Sequence, residues 1–346
     1  MGPSKSVHVK SLTGQTPGTK SAFGSITSLD AGSFPILERL SIRRLLLAPS
    51  AVREPHWHAN GNELGYCLRG QVLVTIAGNH SRRDTFTISP GEMFFIPSGE
   101  MHHIENIGTE EAEFILAFSN ERPEDFGLSG TFGCMTDAVL GNTFGLPAAQ
   151  FAALPRSAQD VHFAALPQGS PPEIAARHIN PYKLSLEAAQ APISSPAGSA
   201  HTAKGDVWPV LKDIAMFSVH VSDAGMREVH WHPQTAEMGF VVQGQARMTV
   251  LSPGGNVDTY ELKPGDVYFI PRAYPHHIED IGSGDIHFLI FFDQAIPADI
   301  GAKSMVSCYA PEVVAATFGV NVANLPDFPF TAADPLIVPR VNPVDK

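Results

Sequence analysis

Four residues in the first half of the chain have the types and spacing to hold a metal ion: His56, His58, Glu63 and His102. In a β-strand, residues i and i+2 share a face. His56 and His58 therefore project together, and Trp57 projects the other way. Glu63 follows the short ANGN turn at 59–62 and opens the next strand, where it reaches the same interior. His102 follows the strand-ending Pro97 and arrives from the far side. The set recurs as His230, His232, Glu237 and His276, at a constant offset of 174 residues. A single H-x-H pair is more often two surface histidines, but recurrence of all four residues at one offset decides for a metal site. His103 and His277 also recur and, in an extended segment, point away from their neighbours. Three imidazoles and a carboxylate suit Mn, Fe, Ni, Cu or Zn. On an octahedral ion they leave two positions for water, dioxygen or a chelating carboxylate.

The spacing belongs to a longer repeat. REPHWHANGNELGYCLRG from Arg53 returns as REVHWHPQTAEMGFVVQG from Arg227, and SPGEMFFIPSGEMHHIENIG returns as KPGDVYFIPRAYPHHIEDIG. Segments 53–118 and 227–292 share 25 identities in 66 aligned positions. Those identities fall on His, Glu, Gly and Pro more than on interchangeable core residues, so duplication has kept chemistry and turns. Each copy reads as short strands: QVLVTIAG and QARMTVLS, then EMFFIP and DVYFIP after Pro-Gly turns, then EFILAF and HFLIFF as buried runs. This predicts an all-β protein of two tandem sandwiches or closed barrels, over 21–150 and 196–346. A short helix follows each, TDAVLGNTFG and PEVVAATFG, the second entered through a proline. Residues 1–20 are polar and expected to be flexible. The Ala-, Pro-, Ser- and Gln-rich stretch 151–195 reads as a connector with little regular structure.

Composition narrows the partners. With 346 residues, 43% of them hydrophobic, the chain can bury a core in each copy. A net charge of −12 without any Lys/Arg block argues against nucleic acid and against an anionic membrane surface. An anionic substrate would need local positive charge, from a metal or a placed arginine. Cys67, Cys134 and Cys308 lack C-x-x-C spacing, which indicates a reduced, cytoplasmic setting without a disulfide framework. The N-terminal residues show no apolar signal-peptide core, and no apolar run is long enough to span a membrane.

Both copies carry H-x-H-x4-E-x6-G, and copy one continues with G-x5-P-x-G-x2-H-x3-N at Gly91, Pro97, Gly99, His102 and Asn106. The pattern resembles the cupin superfamily, whose fold is a double-stranded β-helix or jelly-roll barrel. Copy two departs at Ala273 and Asp280, where the second motif has Gly and Asn. The R-E-x-H-W-H strings, the lead-ins FPIL (34–37) and WPVL (208–211) and the trailing helices resemble bicupin oxalate decarboxylases and oxalate oxidases. That resemblance implies manganese in each barrel, dioxygen as a cofactor, oxalate as a small carboxylate substrate, and a trimeric or hexameric homo-oligomer. It also implies that Arg53 and Arg227 bind the substrate. Arg53 does not strictly share the alternation of either ligand histidine, yet from the strand's entry it can lean towards the site. There a guanidinium offsets a dianion through charge-assisted hydrogen bonds.

Decarboxylation needs a proton at the carbon that loses CO2. In the decarboxylases the resemblance supplies it from a glutamate in a mobile Ser-Glu-Asn-Ser lid, a motif absent here. The matching stretch, SNERPEDFGLSG at 119–130, offers Glu121, Glu124 and Asp125, whereas copy two has Ala295, Ala298 and Asp299 there. Glu121 and Glu124 are therefore the candidate acids, and copy one the candidate catalytic barrel. Three readings stand beside decarboxylation: oxidation of oxalate to CO2 and peroxide, an Fe or Ni dioxygenase, and a non-catalytic metal-binding bicupin.

Overall fold

The computed structural model describes residues 6–167 and 179–344. It divides into two compact units, Gln15–Ala188 and Met1–Gly14 together with Ala189–Lys346. Each unit contains one seven-stranded and one six-stranded antiparallel sheet. This is the all-β, two-barrel architecture that the repeat predicts.

In the first unit the seven-stranded sheet runs 183–184, 93–96, 63–69, 112–118, 41–47, 24–29, 19–20. The six-stranded sheet runs 125–127, 51–58, 101–106, 72–78, 82–88, with 163–165 also paired to 51–58. Strand Val72–Gly78 shows why these sequences form sheets: its alternate β-branched residues Val72, Val74 and Ile76 bury against the facing sheet. Between the sheets lie Leu45, Val74, Phe86, Phe94, Ile104, Phe114 and Phe118, all buried. Each buried aromatic of this kind contributes roughly 1.5–3 kcal/mol. The second unit repeats the arrangement around Val219, Met248, Tyr268, Ile278, Phe288 and Phe292. The predicted helices are present as Asp137–Phe144 and Pro311–Phe318. Thr136 caps the first through Val139 N, and each ends on a left-handed glycine, Gly145 or Gly319.

The segment boundaries differ from those expected. Val9–Ser11, in the leader expected to be flexible, forms a strand on Asp266–Tyr268 of the second unit's sheet. Within the expected connector, Lys183–Leu184 covers Met93–Phe94 in the first unit, and Ile193–Ser195 pairs with Gly198–Ala200 in the second. The physical reason is the edge strand. An open strand edge presents unpaired N–H and C=O groups, and short flanking segments can satisfy them without any strong pattern of their own. Of these two segments, residues 1–5 and 168–178 lie outside the described residues.

Turn geometry at Ala273 survives the loss of glycine. Gly99 and Ala273 both adopt left-handed backbone, at φ 79° and 64°. Gly99 N donates to His58 O and Ala273 N to His232 O, at 2.9 and 3.0 Å. A Cβ at Gly99 would meet nothing within 4 Å, so alanine there carries only the intrinsic left-handed penalty of about 1 kcal/mol.

Candidate metal centres

Strand Ala51–His58 supplies the first two residues of the N-terminal site. Against Met101–Asn106, His56 pairs with His102 and Arg53 with Ile104. Between these pairs Glu54 and Pro55 oppose the single residue His103, which is a β-bulge. The bulge resets the alternation, so Arg53, His56 and His58 are all buried while Trp57 stays half-exposed. The second unit has the same break between Arg227 and His230. This explains how an arginine out of strict alternation reaches the site.

Glu63 opens strand Glu63–Arg69, opposite Ile96 and Phe118. The ligating atoms of His56, His58, Glu63 and His102 lie within 4.8 Å of one another, all buried, and so do those of His230, His232, Glu237 and His276. Backbone carbonyls orient the rings. His56 Nδ1 donates to Glu54 O (2.7 Å) and His102 Nδ1 to Glu100 O (3.1 Å). His230 and His276 donate likewise to Glu228 O and Tyr274 O, at 2.7 and 2.9 Å. These bonds fix the tautomer that turns the Nε2 lone pairs inward.

Several inward atoms lack partners. Among the described residues, buried His102 Nε2, Glu63 Oε1, His230 Nε2 and His276 Nε2 make no hydrogen bond. Buried polar atoms are rarely left this way unless something further satisfies them. Converging imidazole nitrogens and a carboxylate fit a divalent transition metal.

The electrostatics agree. Burial, then the positive charge of Arg53, holds His56 well below its ordinary value, and burial with Arg227 does the same to His230. Those rings are neutral, as metal ligands must be. For Glu63, burial works against ionisation, but the adjacent His102 and His58 rings prevail and keep the carboxyl far below the usual range. Burial also opposes charge on His232, yet Asp299 and Glu237 outweigh it and push that ring up to about 9, so a metal bound there would have to displace its proton.

Arg53 is 2% exposed. Its Nη1 donates to His162 O at 3.2 Å, and its Nη2 has no hydrogen-bond partner among the described residues. Arg227 donates from Nη1 to Leu336 O (2.9 Å) and from Nη2 to Asp299 Oδ2 (3.0 Å). Neither candidate acid belongs to the donor cluster. Glu121 Oε2 accepts from Arg39 N at 3.0 Å, and Glu124 is exposed. The acid at the site is Asp125, whose Oδ1 lies 2.8 Å from His58 Nδ1. Segment Asp125–Gly127 is a strand paired with His56–His58, which sets Asp125 directly opposite His58. The stretch read as a lid is therefore sheet at this point. One signal in the sequence marked Asp125: it alone of the three acids has an acidic repeat partner, Asp299.

The family model described as Cupin matches residues 11–151 and 184–324. The chain belongs to the cupin family. This bicupin is 31% identical over 279 residues to oxalate decarboxylase OxdC of Bacillus subtilis, spanning 79% of this chain and 72% of the relative. It is 24% identical over 291 residues to a probable oxalate decarboxylase of Arthroderma benhamiae, spanning 80% and 70%. A solved structure of oxalate decarboxylase from Bacillus subtilis at pH 4.6 superposes with a TM-score of 0.85 at 26% identity, over 96% of this chain and 87% of that one. With its two donor sets, the bicupin is a two-site metal cupin. No helix among the described residues is long and apolar enough to cross a membrane.

Proposed function

We propose that this bicupin is a manganese-dependent oxalate decarboxylase whose N-terminal barrel turns oxalate and a proton into formate and CO2. The single observation that carries the reading is the buried Nη2 of Arg53, which makes no hydrogen bond among the described residues and lies on the same strand as two of the four donors. It stands in a chain whose relatives over most of its length are oxalate decarboxylases. His56, His58, Glu63 and His102 would hold one manganese, and His230, His232, Glu237 and His276 the other. Bound manganese, with dioxygen, supplies the Lewis-acid and redox chemistry for activating a carboxylate.

The chain's own residues do the rest. Arg53 receives one substrate carboxylate through a charge-assisted hydrogen bond and offsets the dianion's charge. When the C–C bond breaks and CO2 leaves, the electron pair remains on the other carbon, and a proton delivered there completes formate. Asp125 is a poor source of that proton. Burial raises its pKa, but hydrogen bonding to His58 and the charge of Arg43 overcome this and hold it ionised. Glu124 is exposed in the adjoining turn and is the proposed donor, with Glu121 the next acid along the segment.

Outside the site, the exposed Phe144, Phe318 and Phe330 around the helical extensions support a homo-oligomer, trimeric or hexameric, measurable by light scattering. The three free cysteines suit a reduced cytoplasm.

The test is to incubate manganese-loaded protein with oxalate under air and to quantify formate, CO2 and hydrogen peroxide. Equal formate and CO2 are expected, with formate falling in Glu124→Gln. No product from fully loaded protein overturns the reading. Peroxide with two CO2 and no formate replaces it with oxalate oxidation.

A further inference from the structure

The aspartates opposite the second ligand histidine, Asp125 and Asp299, are occupied differently. Asp125 Oδ2 lies 2.5 Å from Arg43 Nη1, and Asp125 Oδ1 accepts from Arg43 Nη2 at 3.2 Å. Arg43 stacks over the Phe118 ring, its Cζ 4.5 Å from the centroid, and that ring packs edge-on against His58. With both carboxylate oxygens engaged by Arg43, Arg53 Nη2 stays 3.7 Å from Asp125 Oδ2, beyond hydrogen-bond reach.

At the offset of the repeat, Arg43 becomes Phe217. Phe217 packs against Phe292, the partner of Phe118, at 4.9 Å between centroids. It fills the same space and brings no charge. Asp299 then lacks a second arginine, and Arg227 Nη2 closes on its Oδ2 at 3.0 Å. The two guanidiniums sit at the same register, opposite Ile104 and Ile278, and each donates Nη1 to a backbone carbonyl. They differ at Nη2, which is hydrogen-bonded to the aspartate in Arg227 and held 3.7 Å from it in Arg53.

We propose that Arg43 is a positioning residue that reserves Arg53 for a substrate carboxylate, and that Phe217 closes the C-terminal barrel to the same anion by leaving Asp299 to Arg227. The inference rests on the reading that the site takes a small dicarboxylate. It adds which residue decides which barrel does so. The causal order is electrostatic: a buried guanidinium with an ionised carboxylate in reach pairs with it unless a competing cation holds that carboxylate first. Arg43 is that competitor. An incoming oxalate at the C-terminal site would have to displace Asp299 and leave it buried without its partner.

The experiment compares Arg43→Phe, Phe217→Arg and Arg43→Phe/Asp125→Asn with the parent, as full-length chains loaded with manganese to equal content. In Arg43→Phe the oxalate KM should rise roughly tenfold to a hundredfold, the value of a lost charged hydrogen bond, with kcat little changed. Adding Asp125→Asn should restore KM to within a few-fold, because the amide still accepts from His58 but cannot ion-pair with Arg53. A merely structural role for Arg43 would not be rescued by removing a second charge. Calorimetry with oxalate should give one equivalent bound per chain in the parent and two in Phe217→Arg. Crystal structures read the ion pairs without any substrate. Arg53 should close on Asp125 in Arg43→Phe, and Arg227 should open from Asp299 in Phe217→Arg.

An unchanged Arg53–Asp125 separation in Arg43→Phe overturns the proposal even if oxalate is turned over normally. So does a parent chain that binds two oxalates. If the ion pairs switch as described but no variant or parent binds oxalate, the substrate reading fails and the positioning role stands.

Discussion

In the N-terminal barrel Glu63 Oε1 has no hydrogen-bond partner among the described residues, whereas in the C-terminal barrel Glu237 Oε1 accepts from Tyr268 Oη at 2.6 Å. The position equivalent to Tyr268 is Phe94, and both rings are fully buried against a glycine of the glutamate's own strand. A Cβ at Gly65 or Gly239 would collide with them, so the close approach depends on glycine at those points. The proposed ligands are thus the same in kind and unequal in restraint. The C-terminal glutamate is tied by a phenol and its arginine by an aspartate; the N-terminal glutamate has a spare oxygen and its arginine a spare nitrogen. The comparison shows a duplicated site specialising through its neighbours while its donors stay fixed.

Removing a donor is the strongest way to break that comparison. His102→Ala and His276→Ala should each lower bound manganese from two per chain to one. The first should cost oxalate turnover roughly a thousandfold or more and the second only a few-fold. Equal losses measured by formate release and metal analysis would make the barrels functionally equivalent.

Acid should separate the barrels next. Glu113 of the first unit is ion-paired with Arg44 and Arg69, and its repeat partner is His287, hydrogen-bonded to Ser218. Burial works against the Glu113 charge, but both arginines overcome it and lower its pKa. Its stabilisation is present above the unfolded value near 4.3 and is lost as pH falls through the depressed folded value. Burial, with His220 and His201 beside it, pushes His287 down to about 3. Between that value and about 6.5 the unfolded chain binds the proton and the folded chain does not, so stability falls as pH drops below 6.5. The second unit should lose roughly 2 kcal/mol between pH 6.5 and 5 at this position, while Glu113 costs the first unit nothing in that window. His287→Asn should flatten that slope in hydrogen-exchange or thermal melts resolved by unit; an unchanged slope would place the acid sensitivity elsewhere.

A smaller effect is expected at Tyr268. Tyr268→Phe imitates the N-terminal barrel and should weaken manganese binding at the C-terminal site about tenfold, read by competition with a chelator. Phe94→Tyr should strengthen the N-terminal site in the same assay. The smallest effect tests the motif position that copy two has lost. Asn106 Nδ2 donates to Leu47 O and Glu110 O, both at 2.8 Å. Asp280 accepts from Gly282 N at 2.7 Å, and its buried Oδ2 has no hydrogen-bond partner among the described residues. Burial pushes its carboxyl pKa up. Asp280→Asn should stabilise the second unit by about 1 kcal/mol in denaturant melts, and a neutral or negative result would mean that the amide finds no carbonyl there.

The sequence by itself determined the duplication, the strands and the eight proposed donors. Each of these depends on local spacing: alternation of period two, Pro-Gly turns, and H-x-H on one strand face. The Ala273 and Asp280 departures were also legible, because each sits at a fixed motif position. What only the tertiary structure decided depends on neighbours distant in the chain. The bulge that turns Arg53 inward is a register difference between two strands, and a single strand does not encode it. The acid at the metal centre is Asp125, because strand pairing sets it opposite His58, while Glu121 is taken up by Arg39 N and Glu124 faces solvent. Leader and connector carry little pattern, and their strands form because the barrels leave edges to cover. Arg43 carries no motif signal of its own; its packing over Phe118 brings it to Asp125 and keeps Arg53 Nη2 out of hydrogen-bond reach of that carboxylate. Motif spacing specifies which atoms can meet a metal; which charges reach one another across the barrel is set by three-dimensional packing, and that is what distinguishes the two halves.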